Sequence, residues 1–153
     1  MVDWGAVATI AAPLIALVAG AFLNRAIESR PRLVSYLGHV SAHHLTPAGG
    51  TPYDVFTHSL VLRNTGRRPA NNVRLAHGTL PNFDVYPDVH YNVQDLPGGG
   101  KEIVFPRLTP GEQLTVSYLY FPPVTWDRVN GIIKSDEGFA KVIRVLPTQQ
   151  YPM

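Results

Sequence analysis

The feature that most constrains this chain is an uninterrupted apolar stretch near its N-terminus. Residues 4–23 are twenty residues without a charge. A helix rises about 1.5 Å per residue, so this stretch would be roughly 30 Å long and would match the hydrocarbon thickness of a bilayer. Eight of its residues are Val, Ile, Leu or Phe, and together they favour insertion by about 2.5 to 5 kcal/mol. The sequence therefore predicts a transmembrane helix, with residues 1–30 as anchor and basic flank.

Residues within and beside the stretch indicate how such a helix would sit. Trp4 would lie among the lipid headgroups at one end, and Arg25 would reach the interface at the other. Four small residues recur at intervals of four and would form a stripe on one face: Ala8, Ala12, Ala16 and Gly20. Such a stripe lets two helices approach closely in lipid. We therefore expect it to pack against another transmembrane helix, from a second copy or a membrane complex; the alternative is that it merely reflects the abundance of alanine.

The charges around the stretch predict its orientation. Arg25, Arg30 and Arg32 follow it, whereas only the α-amino group and Asp3 precede it. The positive-inside rule then places the C-terminal domain in the cytoplasm and the N-terminus outside. We expect a single-pass protein of the cell inner membrane in contact with lipid, with a periplasmic domain as the alternative. A cleavable signal peptide fits less well, because no Lys or Arg precedes the stretch and the apolar run is too long.

Composition excludes several classes of function. The chain has no cysteine, which excludes disulfides and thiolate metal sites. Its net charge is only +2, and it has no dense run of Lys or Arg, so nucleic acid is not an expected partner. The 14 prolines and 13 glycines lie between short apolar runs, which is typical of a turn-rich β domain.

The pattern after residue 32 predicts short strands separated by turns. The clearest strand is 113–121, in which Leu114, Val116 and Tyr118 alternate with polar residues. The predicted strands are 33–40 with a possible extension to 44, 55–63, 71–76, 83–86, 89–93, 102–105, 113–121, 131–134 and 139–146, and a helical turn is predicted at 125–130. This spacing predicts one mainly β domain over residues 31–147, an antiparallel sandwich of about seven strands, followed by a polar tail at 148–153.

Two segments resemble a known kind of domain. Residues 64–73, Asn-Thr-Gly-Arg-Arg-Pro-Ala-Asn-Asn-Val, resemble the N-x-G-x-x-x-A-x-x-V stretch of bacterial immunoglobulin-like domains of the CARDB (cell-adhesion-related) kind. Residues 108–116 resemble their L-x-P-G-E-x-x-x-V stretch, which follows in the same order. The resemblance covers roughly residues 57–145 and implies an immunoglobulin-like sandwich without implying a function. Such domains usually lie outside the cell, which opposes the cytoplasmic placement that the arginines predict.

No constellation in the sequence predicts catalysis. His39, His43 and His58 could approach one another across a hairpin, but they lack close ligand spacing and a neighbouring carboxylate. The Gly-Gly-Gly-Lys run at 98–101 lacks the spacing and the Ser or Thr of a phosphate-binding loop. Three carboxylates lie in or beside predicted turns: Asp127, Asp136 and Glu137. We therefore expect neither an enzyme nor a cofactor or metal site.

The segment 121–126, Phe-Pro-Pro-Val-Thr-Trp, is the strongest candidate for a partner surface. Its apolar residues would form an adhesive patch if exposed, or close one end of the sandwich if buried: Phe121, Pro122, Pro123 and Trp126. We expect a membrane-anchored, immunoglobulin-like interaction module, an accessory or structural subunit of a membrane complex. The alternative is a membrane-associated sensor or effector whose β domain binds a small molecule and whose helices cluster. An apolar pocket with converging polar groups would favour the alternative, and a flat apolar patch would favour the module.

Overall fold

The computed structural model describes residues 4–145, with the side chains of 4–11 and 26–28 left out of the description. Helix α1 spans Trp4–Glu28. Within the residues described with their side chains, no helix is both long and apolar enough to cross a membrane. The side chains of residues 4–11, the first eight residues of the predicted transmembrane stretch and among them Trp4, lie outside the described residues. The predicted polar tail lies outside them as well.

Ten strands follow α1 within the described residues. They are β1 Leu33–Leu45, β2 Tyr53–Asn64, β3 Ala70–His77, β4 Asn82–Tyr86, β5 Asn92–Asp95, β6 Lys101–Leu108, β7 Gln113–Tyr120, β8 Ile133–Ser135, β9 Gly138–Phe139 and β10 Lys141–Val142, with the short helix α2 Trp126–Val129 between β7 and β8. One five-stranded sheet has the order β10-β1-β2-β7-β4, and the other has the order β5-β6-β3-β8-β9. The prediction of a mainly β, sandwich-like domain is confirmed.

The two sheets share one apolar core. Alternate residues of a strand point to opposite faces, so every second residue of the inner strands faces the other sheet. Fully buried core residues come from both sheets: Leu62, Leu114 and Val116 from the first, and Val73, Leu75, Ile103, Phe105 and Leu108 from the second. Burial of each such side chain stabilises the fold by about 1.5–3 kcal/mol. The inward alternation predicted for 113–121 is therefore confirmed in β7.

The strand count and one strand position differ from the prediction. The described residues contain ten strands instead of about seven. Compared with the nine predicted segments, the last two form three short strands, because β9 pairs with β8 in one sheet and β10 pairs with β1 in the other. The strand predicted at 89–93 is displaced to Asn92–Asp95, where it pairs with β6. Pro87 has no N–H to donate to a ladder, and the strand before it ends at Tyr86. One pair, β1 with β10, is parallel, so the sheets are not wholly antiparallel.

Asn64 connects the two segments on which the family resemblance rests. Its side chain is fully buried. Its Oδ1 accepts hydrogen bonds from the backbone N–H of Arg32 at 3.2 Å and of Gly66 at 3.0 Å. Its Nδ2 donates to the carbonyls of Arg68 at 2.7 Å and Leu108 at 3.0 Å. One side chain thus fixes the turn after β2, the end of β6 and the residue that precedes β1.

The linker between α1 and β1 packs against the same turn. The backbone N–H of Thr65 donates to the Arg32 carbonyl at 2.8 Å. A Cβ added at Gly66 would lie 2.3 Å from the Arg30 carbonyl oxygen and 2.4 Å from the Arg32 nitrogen. Gly66 is therefore required by the close approach of the linker, and residues 30–32 are held on the sandwich by backbone contacts.

Candidate functional site

The predicted small-residue stripe lies partly within the described side chains. Ala12, Ala16 and Gly20 are exposed on α1. A Cβ added at Gly20 would meet nothing within 4 Å. The side chain of Ala8 lies outside the description. The three described stripe residues are therefore accessible to another helix.

The large apolar side chains of α1 are exposed as well. Their exposed fractions run from 56% to 75%: Leu14 60%, Ile15 68%, Leu17 71%, Val18 56%, Phe22 75% and Leu23 64%. Arg25, the predicted interface residue beyond them, is also exposed. The described part of α1 therefore does not contribute its apolar side chains to the core of the sandwich.

The residues of the predicted partner loop, 121–126, differ in their exposure to solvent. Phe121 is 42% exposed, and Pro122 and Pro123 are exposed. Trp126, the first residue of α2, is half-buried, and its ring centroid lies 4.4 Å from that of His58. The first half of the loop is therefore an accessible apolar surface, whereas Trp126 helps to close the sandwich.

An open apolar cleft lies beside this loop. It has a volume of about 410 Å³. Its lining combines the loop with two residues of neighbouring strands: Phe56, Tyr120, Pro122, Pro123, Val124, Thr125 and Trp126. The rings of Phe56 and Tyr120, which both line the cleft, stack with their centroids 5.6 Å apart. Apart from Thr125 and the hydroxyl of Tyr120, this lining is apolar, which suits contact with an apolar group of a partner.

The histidines of the first hairpin do not converge. His39 and His43 are exposed, whereas His58 is 1% exposed and lies opposite Val40 in the register of β1 and β2. No three His, Asp or Glu side chains in the described part of the chain are placed to hold a metal ion. His58 instead packs among aromatic rings, with centroids 4.8 Å from Tyr118 and 4.4 Å from Trp126.

The carboxylates of the last turn hold backbone in place. Asp136 Oδ2 accepts a hydrogen bond from Asn72 Nδ2 at 2.6 Å. Glu137 accepts from the backbone N–H of Asn71 at 3.2 Å and from its Nδ2 at 2.9 Å. Burial disfavours ionisation of Glu137, but the hydrogen bonds that it accepts outweigh burial and lower its pKa. Asp127 is exposed. These contacts fasten the β8–β9 turn to β3.

A buried polar pair lies deeper between the sheets. His77, at the end of β3, is 4% exposed, and a hydrogen bond of 2.8 Å joins its Nε2 to the Tyr118 hydroxyl. Burial lowers the pKa of His77 to about 4, although the nearby carbonyls of Lys101 and Leu75 partly oppose this shift. Burial also raises the pKa of Tyr118. Both side chains are therefore uncharged at neutral pH.

This pair lines a cavity of about 420 Å³ between the sheets. The buried polar lining residues are Ser35, His77 and Tyr118, and the lining also includes Tyr36, Asn130 and the exposed Arg144. Ser35 is fully buried, and its Oγ has no hydrogen-bond partner. Residues 142–145, which are exposed, form one side of the cavity, so it opens to the surface there. The arrangement is an apolar space with a few buried polar groups in its walls, which is the kind of pocket expected of the alternative, a small-molecule binder.

Sequence reasoning missed Ser35 and His77, although a signal for both was present. Ser35 lies two residues after Leu33, and His77 lies two residues after Leu75. Residues two apart on a strand share a face, so both polar residues continue rows of core residues. A polar residue in an inward-facing row is a better indicator of a buried site than the spacing of histidines along the chain.

No protein-family model matches the sequence. The search among curated proteins gives no match either. The immunoglobulin-like resemblance therefore rests on the two motif segments that meet at Asn64, and function is inferred from the chain's own residues.

Proposed function

We propose that this chain is a membrane-anchored β-sandwich module that holds a partner protein at the membrane, as an accessory or structural subunit of a membrane complex. The observation that carries the proposal is the exposure of the large apolar side chains of α1, from Leu14 to Leu23. A helix on the surface of a water-soluble domain buries one apolar stripe. Here the apolar side chains point in many directions, and lipid or other helices would cover them.

The large and small side chains of α1 lie on different sides of the helix, which supports one face for lipid and another for packing against a helix. At about 100° per residue, the six large exposed side chains cover about two-thirds of the helix circumference. Ala16, Gly20 and Asn24 fall in the remaining third. The large side chains suit contact with lipid tails, and the small ones suit close approach of another helix. The partner in the membrane would then be a second copy or a helix of another subunit.

Outside the membrane, the loop after β7 offers the partner surface. Phe121 and the two prolines are exposed beside the apolar cleft. Apolar side chains at a rigid surface are common anchors of protein interfaces. The arginines after α1 favour a cytoplasmic position for this surface.

Membrane attachment can be tested by fractionation. The full chain is expected to stay in the membrane pellet after an alkaline carbonate wash, and a chain without residues 1–30 is expected to be soluble. The control is the double variant Leu14→Arg with Leu17→Arg. Each arginine opposes insertion by about 2.5–3.5 kcal/mol, so this variant should leave the pellet. A full chain that fractionates as a soluble protein would contradict the proposal.

A further inference from the structure

We propose that the cavity between the sheets is a binding site for a small, uncharged, mostly apolar molecule that carries one hydroxyl or carbonyl group. Ser35 forms the hydrogen bond to that group, and the apolar walls hold the remainder. None of the residues concerned belongs to α1, so this site is independent of membrane attachment. The proposal rests on the cavity, on its lining and on a buried polar atom that the fold leaves without a partner.

The size and walls of the cavity suit a small organic molecule. Ligand pockets have volumes of about 300–1,000 Å³ and mostly apolar linings, and this cavity has about 420 Å³. Both sheets and α2 contribute to its apolar walls: Leu60, Leu75, Trp126, Val129 and Ile133. Residues 142–145 border it on the exposed side. A molecule can therefore enter from the surface without separation of the sheets.

Ser35 can make a specific hydrogen bond in the cavity. Ser35 is fully buried, yet its Oγ has no partner. A buried hydroxyl without a hydrogen bond has lost its contacts with water and gained none in exchange. The backbone of Ser35 is already engaged, since its carbonyl accepts from the N–H of Ile143 at 2.9 Å. Because Ser35 Oγ has no accessible surface, a ligand hydroxyl or carbonyl would reach it by displacing a lining side chain and would then supply the missing partner.

The electrostatics of the lining favour an uncharged ligand. Ser35, His77 and Tyr118 are all neutral at pH 7, because burial keeps the pKa of His77 near 4 and that of Tyr118 above its usual value. Arg144 is the one charged residue of the lining, and it belongs to the exposed segment 142–145. A charged group beside the buried Ser35 would carry a desolvation cost.

The test uses three matched probes on the full chain in lipid nanodiscs. They are 4-fluorophenol, fluorobenzene, which lacks the hydroxyl, and 4-fluorobenzoate, which is charged. Methyl-labelled protein reports binding by NMR shifts at Leu60 and Ile133, which line the cavity, with the buried Ile103 as internal reference. Saturable shifts at the lining methyls, tightest for 4-fluorophenol, are expected.

The decisive variant is Ser35→Ala, which removes one hydroxyl and leaves the shape nearly unchanged. It should weaken binding of 4-fluorophenol about fivefold to tenfold and leave fluorobenzene within about twofold. Ser41→Ala changes another serine of β1 that does not line the cavity, and it should alter neither affinity. Ser35→Leu should fill the cavity and abolish binding of both probes.

Several results would overturn the site. They are the absence of saturable shifts up to the solubility of 4-fluorophenol, which would leave the cavity a water-filled space; equal weakening of both neutral probes by Ser35→Ala; and shifts no larger at the lining methyls than at Ile103. Tighter binding of 4-fluorobenzoate than of 4-fluorophenol would overturn the assignment to an uncharged ligand. Because Ser35→Ala removes only an unpaired hydroxyl, it should keep the fold, so its outcome is decisive even if Ser35→Leu does not fold.

Discussion

Asn64 shows how much a single buried polar side chain can organise. Its four side-chain hydrogen bonds reach Arg32, Gly66, Arg68 and Leu108. Arg32, Gly66 and Arg68 lie outside the strands, whereas Leu108 ends β6, where it pairs with Ala70. Removing the amide would take this partner from one buried and three part-buried backbone groups, and an unpaired buried group costs more than the bond itself contributes.

Asn64→Ala is therefore expected to lower the free energy of unfolding by about 2–4 kcal/mol. The measurement is a urea titration of the full chain in detergent micelles, followed by circular dichroism. Asn92→Ala, at an exposed asparagine of β5, serves as the control and should change stability by less than about 0.5 kcal/mol. Equal effects of the two changes would show that the Asn64 contacts contribute little.

His77 makes stability depend on pH. Its pKa is about 4 in the folded state, whereas an unfolded histidine titrates near 6.5. The unfolded chain therefore binds the proton first as the pH falls. The contribution is complete above about pH 6.5 and is lost towards pH 4. His58, which is buried beside Tyr118, also has a pKa lowered by burial and acts in the same direction.

We expect His77 alone to account for a loss of about 2 kcal/mol of stability between pH 7 and pH 5, given its folded pKa of about 4. His77→Gln should remove that share of the pH dependence, and His58 should retain its own share. His90→Gln, at an exposed histidine, should leave the dependence unchanged. Urea titrations at the two pH values measure this difference. An unchanged slope in His77→Gln would refute the assignment to His77.

At the scale of elements, the strands that the sequence predicted best are those with a strict alternation or a clear turn beside them. β7 agrees with the prediction to within one residue, and β2 and β3 to within two. The errors occur where local signals are weak, as in β5 and in the short strands β8 to β10, whose pairing depends on distant residues.

The cavity could not be predicted from the sequence, because its lining residues come from both sheets and from α2 and meet only in the folded structure. The sequence alone could show that Ser35 and His77 occupy inward-facing strand positions. It could not show that a cavity lies beside them.

The contact between the linker and the turn after β2 is a second relation between elements. Gly66→Ala would place a Cβ 2.3 Å from the Arg30 carbonyl oxygen, so the linker must move. We expect the change to lower the free energy of unfolding of the full chain by about 1–3 kcal/mol. The cost should be smaller in a chain that lacks residues 1–30, because Arg30 is then absent and residues 31–32 can shift away from the added Cβ. A cost that is equal in both chains would place the strain in the turn itself.

For the whole molecule, labelling of a single introduced cysteine can determine on which side of the membrane the β domain lies. The chain has no cysteine, so Ala48→Cys in the exposed loop between β1 and β2 introduces one thiol. A membrane-impermeant maleimide should label it only after the cytoplasmic membrane is broken, because the arginines after α1 favour a cytoplasmic domain. A cysteine added before Met1 should be labelled in intact spheroplasts and serves as the control. Labelling of Ala48→Cys in intact spheroplasts would place the domain outside, as the family resemblance implies.

The small-residue stripe links the helix to assembly of the whole molecule. Ala16 and Gly20 are exposed on α1, and a Cβ at Gly20 meets nothing within 4 Å, so larger side chains fit the isolated chain. Lipid tails are as apolar as leucine, so close packing of backbones, and not apolar burial, drives helix association in a membrane.

Ala16→Leu and Gly20→Leu should therefore keep the membrane level of the protein and lower its crosslinking yield, with itself or with a co-purifying subunit, by about fivefold or more, which corresponds to roughly 1 kcal/mol. Leu17→Ile alters a large side chain outside the stripe and should leave the yield unchanged. Crosslinking in native membranes at equal expression measures all three variants. If the two leucine variants associate as well as the parent, the stripe reflects composition alone. The helix would then be only a tether, and recognition of the partner would fall to the exposed loop at Phe121.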